Sequence, residues 1–306
     1  MYLWVPVATR VVVLVRDVRG APYRRGMRHA FVGSYGSADQ IVEMAVEAER
    51  AGWDAFFTWD GITIGEVDTF DPWVLLGAIA VRTERIRLGA QVFSLARRRP
   101  WKVARESVTV DQLSHGRLIM PVGLGAVEDG GYSRVSGEVT SARERAERLD
   151  DCLDVLAKAW TGERFSHDGP VYQATDVVFR PRPVQEPRIP VWAVGLWPAP
   201  RSMRRAARWD GVIVQPREED PFAPATPEHV RGVVAWLGEH LPERDPAAPP
   251  FDVVVEGVSV DDRSAAVERV AALEEAGASW WVESRWDVER DTPEALLARI
   301  RQGPPR

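Results

Sequence analysis

The feature that most constrains the fold is a regular alternation of short apolar runs and longer amphipathic segments between Met27 and Gly303. The apolar runs have the length of buried strands, and the segments between them carry apolar residues at helical spacing. Eight such strand–helix pairs follow one another, which predicts parallel strands joined by right-handed crossovers. We therefore expect an α/β fold closed as a (β/α)8 TIM barrel. A doubly wound open sheet is the alternative, but no Gly-x-Gly-x-x-Gly motif follows the first strand.

One segment interrupts this rhythm. Residues Phe165–Arg188 lie between the fourth predicted barrel helix (Ala142–Trp160) and the fifth predicted strand (Pro190–Val194), and they are rich in proline and polar residues. Long irregular segments within compact domains often serve as lids or interfaces. We expect an insertion here that forms a short hairpin or an excursion over one end of the barrel.

The first 26 residues do not fit the barrel pattern. Their apolar run is broken by Arg10 and Arg16, which makes it too short and too charged for a transmembrane helix. No clean cleavage site marks it as a signal peptide. We predict an N-terminal extension over residues 1–26, which is either poorly ordered or the product of a misassigned start, and a barrel domain over residues 27–303.

Composition excludes several classes of protein. The 306 residues are 45% hydrophobic and 27% charged, which suits a folded chain with a large core. A net charge of −6 argues against a general nucleic-acid-binding protein. The single cysteine, Cys152, excludes a disulfide framework and fits a reducing cytoplasm. No run reaches membrane-spanning length, and no clustered histidine or cysteine motif predicts a metal site.

The barrel hypothesis predicts where the functional residues lie. Sites in this fold form where the strands end at their carboxyl termini. The residues at those positions are Ser34 and Tyr35, Asp60 and Gly61, Gln91 to Ser94, Gly123 to Glu128, Gly195 to Pro198, Gln215, Glu256 and Gly257, and Glu283 to Arg285. Trp59 and Trp197 flank the same opening, and either stacking on a ligand or core packing accounts for them.

Several stretches together resemble a known family. The run DQLSHGRL (Asp111–Leu118), followed by PVGLG (Pro121–Gly125), resembles the bacterial luciferase-like family of flavin- and deazaflavin-dependent oxidoreductases. Further matches occur in the family's order: AGWDAFFTWD (51–60), DPWVLLGAIAVRTERIRLG (71–89), RRRPWKVARE (97–106), RPRPVQEPRIPVW (180–192) and GLWPAPRSMRRAARWDGV (195–212). The resemblance is firm over residues 27–214 and excludes the first 26.

The resemblance implies a barrel that holds FMN or coenzyme F420 at its carboxyl-terminal mouth. The ring would lie against a bulge at the end of the third strand, where many relatives have a non-prolyl cis peptide. That bond would fall at Gln91–Val92, with an ordinary trans strand end as the alternative. Ser34, Gln91 and Val92 are therefore expected to contact the cofactor.

The same resemblance assigns roles to residues after strands two and four. Asp60 matches an acidic residue that shapes the ring and substrate pocket, although a turn cap is the alternative. Relatives usually carry histidine next, whereas this chain has Gly61, which puts a histidine mechanism in doubt and is expected to widen the pocket. Glu128 is a second candidate acid, with a solvated loop carboxylate as the alternative.

Glycine-rich strand ends and arginines complete the expected site. Gly123 and Gly125 match a turn where the backbone skirts the cofactor. Gly195, Leu196 and Trp197 precede a helix whose free N–H groups would bind a phosphate. Arg285 is expected to hold an anionic substrate or phosphate, with surface ion pairing as the alternative.

The expected function is hydride transfer between the cofactor and a small organic substrate or NAD(P)H. Reduced FMN with oxygen would instead give a monooxygenase, for which a flavin reductase is the expected partner. A non-catalytic flavin-binding protein is the hypothesis from another class. Relatives often dimerise through barrel helices, so a homodimer is expected, without nucleic-acid or membrane partners.

Overall fold

The computed structural model describes residues 26–218, 223–245 and 248–306. The predicted N-terminal extension lies outside the described residues, except for its last residue, Gly26. The division of the chain into an extension (residues 1–26) and a barrel domain (residues 27–303) therefore remains a prediction.

Strands and helices alternate through the described part of the chain. The strands are β1 (Arg28–Val32), β2 (Ala55–Thr58), β3 (Arg87–Ala90), β4 (Phe93–Ser94), β5 (Met120–Gly123), β6 (Arg164–Asp168), β7 (Gln173–Val178), β8 (Val191–Trp197), β9 (Gly211–Pro216), β10 (Asp252–Gly257) and β11 (Trp280–Glu283). The helices are α1 (Ala38–Arg50), α2 (Pro72–Arg82), α3 (Pro100–Leu113), α4 (Gly130–Ser133), α5 (Ala142–Ala159), α6 (Pro200–Ala207), α7 (Pro227–His240), α8 (Arg263–Glu275) and α9 (Pro293–Arg301).

The main sheet is a parallel barrel. Its strand order is β3-β2-β1-β11-β10-β9-β8-β5-β4. β3 and β4 are two parts of one predicted strand, separated at the Gln91–Val92 peptide, which is cis as the resemblance implied. A parallel bridge between Leu88 and Leu118 joins the two edges of the sheet. The nine strands thus fill eight positions, which confirms the predicted barrel.

Local sequence signals fix where the helices begin. Asp71 accepts hydrogen bonds from the backbone N–H groups of Trp73 (2.9 Å) and Val74 (3.1 Å) and so caps α2, with Pro72 in the first turn. Ser37 caps α1 through a reciprocal capping box with Gln40. These caps place each helix directly after the loop that leaves the carboxyl end of a strand.

The sheet separates two apolar cores. One lies between the strands and the surrounding helices, and the smaller one fills the barrel interior. Within the interior, the Trp192 ring contacts Phe57 and Trp280 at centroid distances of 5.9 and 5.0 Å. Its indole N–H donates to Asp252 Oδ2 at 3.2 Å. Large aromatic side chains therefore plug the lower barrel, and only the upper end is left for a ligand.

The segment between α5 and β8 contains the antiparallel hairpin β6–β7. Asp151 on α5 accepts hydrogen bonds from the backbone N–H groups of Val171 (2.9 Å) and Tyr172 (2.6 Å) in the hairpin turn. The Tyr172 ring also meets Trp101 of α3 edge to face. These contacts fix the hairpin to the outer helices α3 and α5.

Candidate active site at the barrel mouth

Strand register identifies the side chains that face the barrel mouth. Val254 pairs with Trp280, and Glu256 pairs with Val282, on the neighbouring strands β10 and β11. Val254, Trp280 and Val282 all belong to the interior core. Because side chains alternate along a strand, Glu256 faces the bore one level above Val254.

A hydrogen bond crosses the bore at this level. Gln91 Nε2 donates to Glu256 Oε2 at 2.8 Å. The two residues come from opposite positions in the ring of strands, since four steps separate them in either direction. Ser284 Oγ, at the end of β11, donates to the same carboxylate oxygen at 3.4 Å. The three side chains form a polar layer above the aromatic interior.

Two acceptor atoms in this layer have no protein donor among the described residues. Gln91 is only 8% exposed, yet its Oε1 is buried without a hydrogen-bond partner. Both contacts of Glu256 reach Oε2, and its Oε1 accepts no hydrogen bond from the described chain. A buried acceptor without a partner is costly, so Gln91 Oε1 is suited to a ligand that donates a hydrogen bond.

The surroundings of Glu256 favour its protonated form. Burial raises the pKa of this carboxyl, and the hydrogen bonds from Gln91 and Ser284 lower it only in part. Sequence reasoning placed Glu256 at the end of the seventh predicted strand but gave it no role. The strand DVVVEG contained the information needed to predict that Glu256 faces inward. Glu256 lies two residues after Val254, so the two side chains point to the same side of the strand.

Aromatic side chains wall one side of the mouth. The Trp59 indole N–H donates to the carbonyl of Ser34 at 2.8 Å. Its ring meets Trp286 edge to face at 5.8 Å. Tyr35 Oη in turn donates to the Trp286 carbonyl at 2.7 Å. These contacts link the ends of β1, β2 and β11, and sequence reasoning did not identify Trp286.

Gly61 does not widen the mouth as expected. A Cβ atom at this position would overlap the six-membered ring of Trp59. The indole therefore occupies the space where residue 61 would carry a side chain. The glycine admits Trp59 rather than opening a cavity.

Asp60 lies in a buried ion-pair cluster beside the mouth. Its side chain is completely buried, and it accepts hydrogen bonds from Arg98 (2.7 and 3.0 Å), from Arg97 (3.1 Å) and from the backbone N–H of Ser94 (3.0 Å). Burial alone would raise the pKa of Asp60, but the two arginines outweigh it and hold the pKa below its usual value. Asp60 therefore carries a stable negative charge.

The same cluster ties two loops together. Arg97 also pairs with Asp129 at 2.5 Å. Asp129 accepts from the backbone N–H groups of Ile62 (3.1 Å) and Thr63 (2.9 Å), which anchors the loop after β2 to the loop after β5. Glu128, the predicted second acid, is exposed to solvent next to this anchor. Its neighbour Asp129 is the buried carboxylate of this loop.

The glycines after β5 pack differently from one another. Gly123 lies at the floor of the mouth, where a Cβ would come within 2.8 Å of Val92 and 3.3 Å of Val194. Gly125 has a φ of +75° and lies against the Tyr132 ring. Only Gly123 therefore lies against the two valines that cover the barrel interior.

The predicted phosphate-binding residues, which form the last three residues of β8, are engaged within the protein. The Leu196 N–H donates to Ser202 Oγ at 3.0 Å. Gly195 lies against Met203 of α6, and Trp197 lies against Gly232 of α7. By strand parity, Leu196 is the one of the three that shares the bore side with Val194.

Arg285 is paired inside the protein. Its Nε donates to Glu283 Oε1 at 2.9 Å, and its Nη2 donates to the Ser259 carbonyl at 2.9 Å. Asp291 lies 3.5 Å from its Nη1. The side chain is therefore neutralised by two carboxylates, in agreement with the ion-pair alternative.

The mouth fits a planar heterocycle that forms hydrogen bonds at its edges. Val92, Val194 and Gly123 give it a small apolar floor, and the unpartnered Gln91 Oε1 offers an acceptor to a ring N–H. The described ranges contain no group of three or more side chains arranged to ligate a metal. They also contain no helix long and apolar enough to cross a membrane.

Comparison with known proteins was made by sequence and by structure. The model of the luciferase-like monooxygenase family matches residues 20–302. An uncharacterized protein of Mycobacterium tuberculosis is 33% identical over 220 residues, which is 67% of this chain and 76% of that protein.

Solved structures share the fold at low sequence identity. An F420-dependent secondary alcohol dehydrogenase, bound to an F420–acetone adduct, has a TM-score of 0.72 and 15% identity, over 90% of this chain and 98% of that chain. The FMN-bound oxygenating constituent of 3,6-diketocamphane monooxygenase from Pseudomonas putida has a TM-score of 0.67 and 15% identity. The match covers 90% of this chain and 96% of that chain.

Proposed function

Because this chain belongs to the luciferase-like monooxygenase family, we propose that it moves a hydride between FMN or coenzyme F420 and a small organic substrate at the barrel mouth. The observation that carries the proposal is the change from aromatic to polar side chains along the bore. Below lie Trp192 and Trp280, and above them lies the polar layer of Gln91, Glu256 and Ser284.

The residues that would hold the cofactor ring follow from this arrangement. Val92, Val194 and Gly123 would support its face, and Gln91 Oε1 would accept from a ring N–H. When bound, the ring supplies the site of two-electron transfer. The Trp59–Trp286 wall would exclude water from this site.

Asp60 would act by positioning rather than by proton transfer. Its charge is already satisfied by Arg97 and Arg98. Through Arg97 and Asp129, it holds the two loops that border the mouth. A fixed frame of this kind keeps reacting groups in productive geometry.

Either cofactor is compatible with this mouth. Solved structures of the same fold hold F420 in one case and FMN in the other. F420 would support dehydrogenation without oxygen, and reduced FMN would support monooxygenation with electrons from a reductase. We also propose that the protein forms a homodimer, which is what the family resemblance implies.

Visible absorption spectroscopy tests the proposal directly. Purified protein is titrated with FMN and, separately, with F420, and binding is read from the change in the cofactor spectrum. The variant Gly123→Val fills the floor against Val92 and is expected to weaken binding at least tenfold. Gly77→Val is the matched control, because a Cβ at Gly77 meets no atom within 4 Å.

Turnover distinguishes an enzyme from a binding protein. The loaded protein is mixed with NAD(P)H or with secondary alcohols and ketones, and reduction or reoxidation of the cofactor is followed. Tight binding with no turnover would favour the flavin-binding protein. Failure of both cofactors to bind would overturn the proposal.

A further inference from the structure

Resting on the proposed function, we propose that Glu256 is the catalytic residue that takes the hydroxyl proton from an alcohol substrate and returns it to the carbonyl product in reverse. The carboxylate lies at the centre of the mouth and not at its edge. Its side chain reaches into the bore, where it meets Gln91 from the opposite position in the ring of strands.

The proton and electron balance of the step is simple. The carbinol C–H bond breaks, and its electron pair leaves as hydride to the oxidised flavin or deazaflavin. The O–H bond of the same carbinol breaks, and its proton goes to Oε1 of the ionised Glu256 carboxylate as the carbonyl forms. The alcohol is oxidised by two electrons, and the cofactor is reduced by two.

The free oxygen of Glu256 gives this role a geometric basis. Oε2 is held by Gln91 and Ser284, which fixes the plane of the carboxyl group. Oε1 accepts no hydrogen bond from the described chain, and Glu256 keeps partial exposure at the end of β10. A substrate hydroxyl above the layer can therefore donate to Oε1 without displacing a protein donor.

The other candidate acids are placed less well for this step. Both oxygens of Asp60 are engaged by Arg98, and its side chain has no exposed surface. Glu128 is solvent-exposed on the loop after β5. Glu283, on the neighbouring β11, bonds to Arg285 and Ser259.

The side chains that face Glu256 from the neighbouring and opposite strands are neutral. Gln91 approaches from the end of β3, and Ser284 approaches from the end of β11. Gln215 has the inward parity on β9, and the charged Glu283 has the opposite parity to Val282 on β11. No charged described group contributes to the raised pKa of Glu256. A carboxyl with a raised pKa is a stronger base near neutral pH.

The first test needs neither cofactor nor substrate. Infrared difference spectra of the wild-type protein are recorded across a pH titration. We expect a carboxylic-acid C=O band that persists above the normal range of glutamate and disappears in Glu256→Gln. A band that remains in Glu256→Gln, or its absence from the wild type, would overturn the proposal.

The second test uses protein loaded with whichever cofactor binds. Hydride transfer from the reduced cofactor to acetone, and from 2-propanol in reverse, is measured against pH. Glu256→Gln should bind the cofactor within twofold of wild type but transfer hydride about 100-fold or more slowly, the usual scale of general acid–base catalysis. It should also lose the pH dependence that Glu256→Asp partly keeps.

A further measurement tests the role of Glu256 even if the wild-type protein does not accept acetone as a substrate. The midpoint potential of the bound cofactor is followed against pH, and its slope should change at the pKa of Glu256 in wild type but not in Glu256→Gln. Identical behaviour of the two proteins would overturn the role of Glu256 and leave the proposed function standing. A wild type that binds neither cofactor overturns the proposed function itself.

Discussion

Two carboxylates lie at the same end of the barrel, Asp60 buried and Glu256 partly exposed, and their surroundings shift their pKa values in opposite directions. Asp60 is surrounded by Arg97, Arg98 and a backbone N–H, and these hold its pKa below the usual value despite burial. Glu256 meets only the amide of Gln91 and the hydroxyl of Ser284, so burial prevails and its pKa is raised.

The comparison shows how the same side-chain chemistry serves two purposes. Ion pairs with two arginines commit Asp60 to a permanent charge that can anchor loops. Neutral partners leave Glu256 with a raised pKa, so it can exchange a proton at a higher pH than an ordinary glutamate. The partners of each carboxyl group, rather than its burial, separate an anchoring role from a proton-transfer role.

Removal of Asp60 should give the largest effect on stability. Asp60→Ala leaves Arg97 and Arg98 buried without their shared partner, and loss of one member of a buried ion pair costs about 3–5 kcal/mol. Urea unfolding monitored by tryptophan fluorescence measures the loss. Glu128→Ala is the control on the exposed side of the same rim, and equal stability of the two variants would contradict the anchoring role.

The two carboxylates should give opposite pH dependences. The lowered pKa of Asp60 stabilises the fold above the normal aspartate pKa, and this contribution is lost as pH falls through the folded-state value. Asp60→Asn should therefore lie furthest below wild type at neutral pH and approach it in acid. Thermal unfolding midpoints between pH 3 and pH 8 check this, as the range spans both ordinary carboxyl pKa values.

Glu256→Gln should change the pH dependence of thermal stability in the opposite direction from Asp60→Asn. The raised pKa of Glu256 means that the folded protein binds more protons than the unfolded chain, so wild type loses stability as pH rises from the normal glutamate pKa to the folded-state value. The variant should match wild type in acid and melt at a higher temperature at neutral pH. A variant that melts below wild type at neutral pH would show that Glu256 is held as a charged group.

Gln91→Leu should have a smaller effect. The bond from Gln91 lowers the pKa of Glu256, so its removal should raise that pKa further. The substitution also removes the unpartnered Oε1, and we expect stability to change by less than about 1 kcal/mol. Infrared pH titration of the carboxyl band measures the shift, and a lower pKa in the variant would contradict the cross-barrel bond.

Glu128→Gln should have the smallest effect. The side chain is exposed, and such substitutions usually change stability by within about 0.5 kcal/mol. Cofactor turnover should equal that of wild type. A large loss of turnover would restore Glu128 as the acid that the sequence suggested and would weaken the case for Glu256.

The fold was largely predictable because its signals are local and repeated. The fourth predicted helix, Ala142–Trp160, agrees with α5 (Ala142–Ala159) to within one residue. The cis peptide at Gln91–Val92 followed from the resemblance. The residue pattern did not predict the division of the third strand into β3 and β4, because a single polar residue, Gln91, in an otherwise apolar run is also compatible with a continuous strand.

The site was less predictable because it depends on contacts between distant strands. Sequence position identified the mouth residues but not their partners. Asp60 could not be paired with Arg97 and Arg98 from the sequence, because they lie 37 and 38 residues further along the chain. The bond between Gln91 and Glu256 spans 165 residues. Strand parity would have singled out Glu256, whereas the pairing of Arg285 needed the structure.

The contact between Trp59 and Gly61 has a consequence for how this mouth can change. A histidine introduced at residue 61 would collide with the indole, and a smaller residue at 59 alone would leave the wall open beside Trp286. Substitutions at contacting positions are not additive. The two positions therefore form an epistatic pair, and a lineage or a directed-evolution library can cross between the two arrangements only by changing both together.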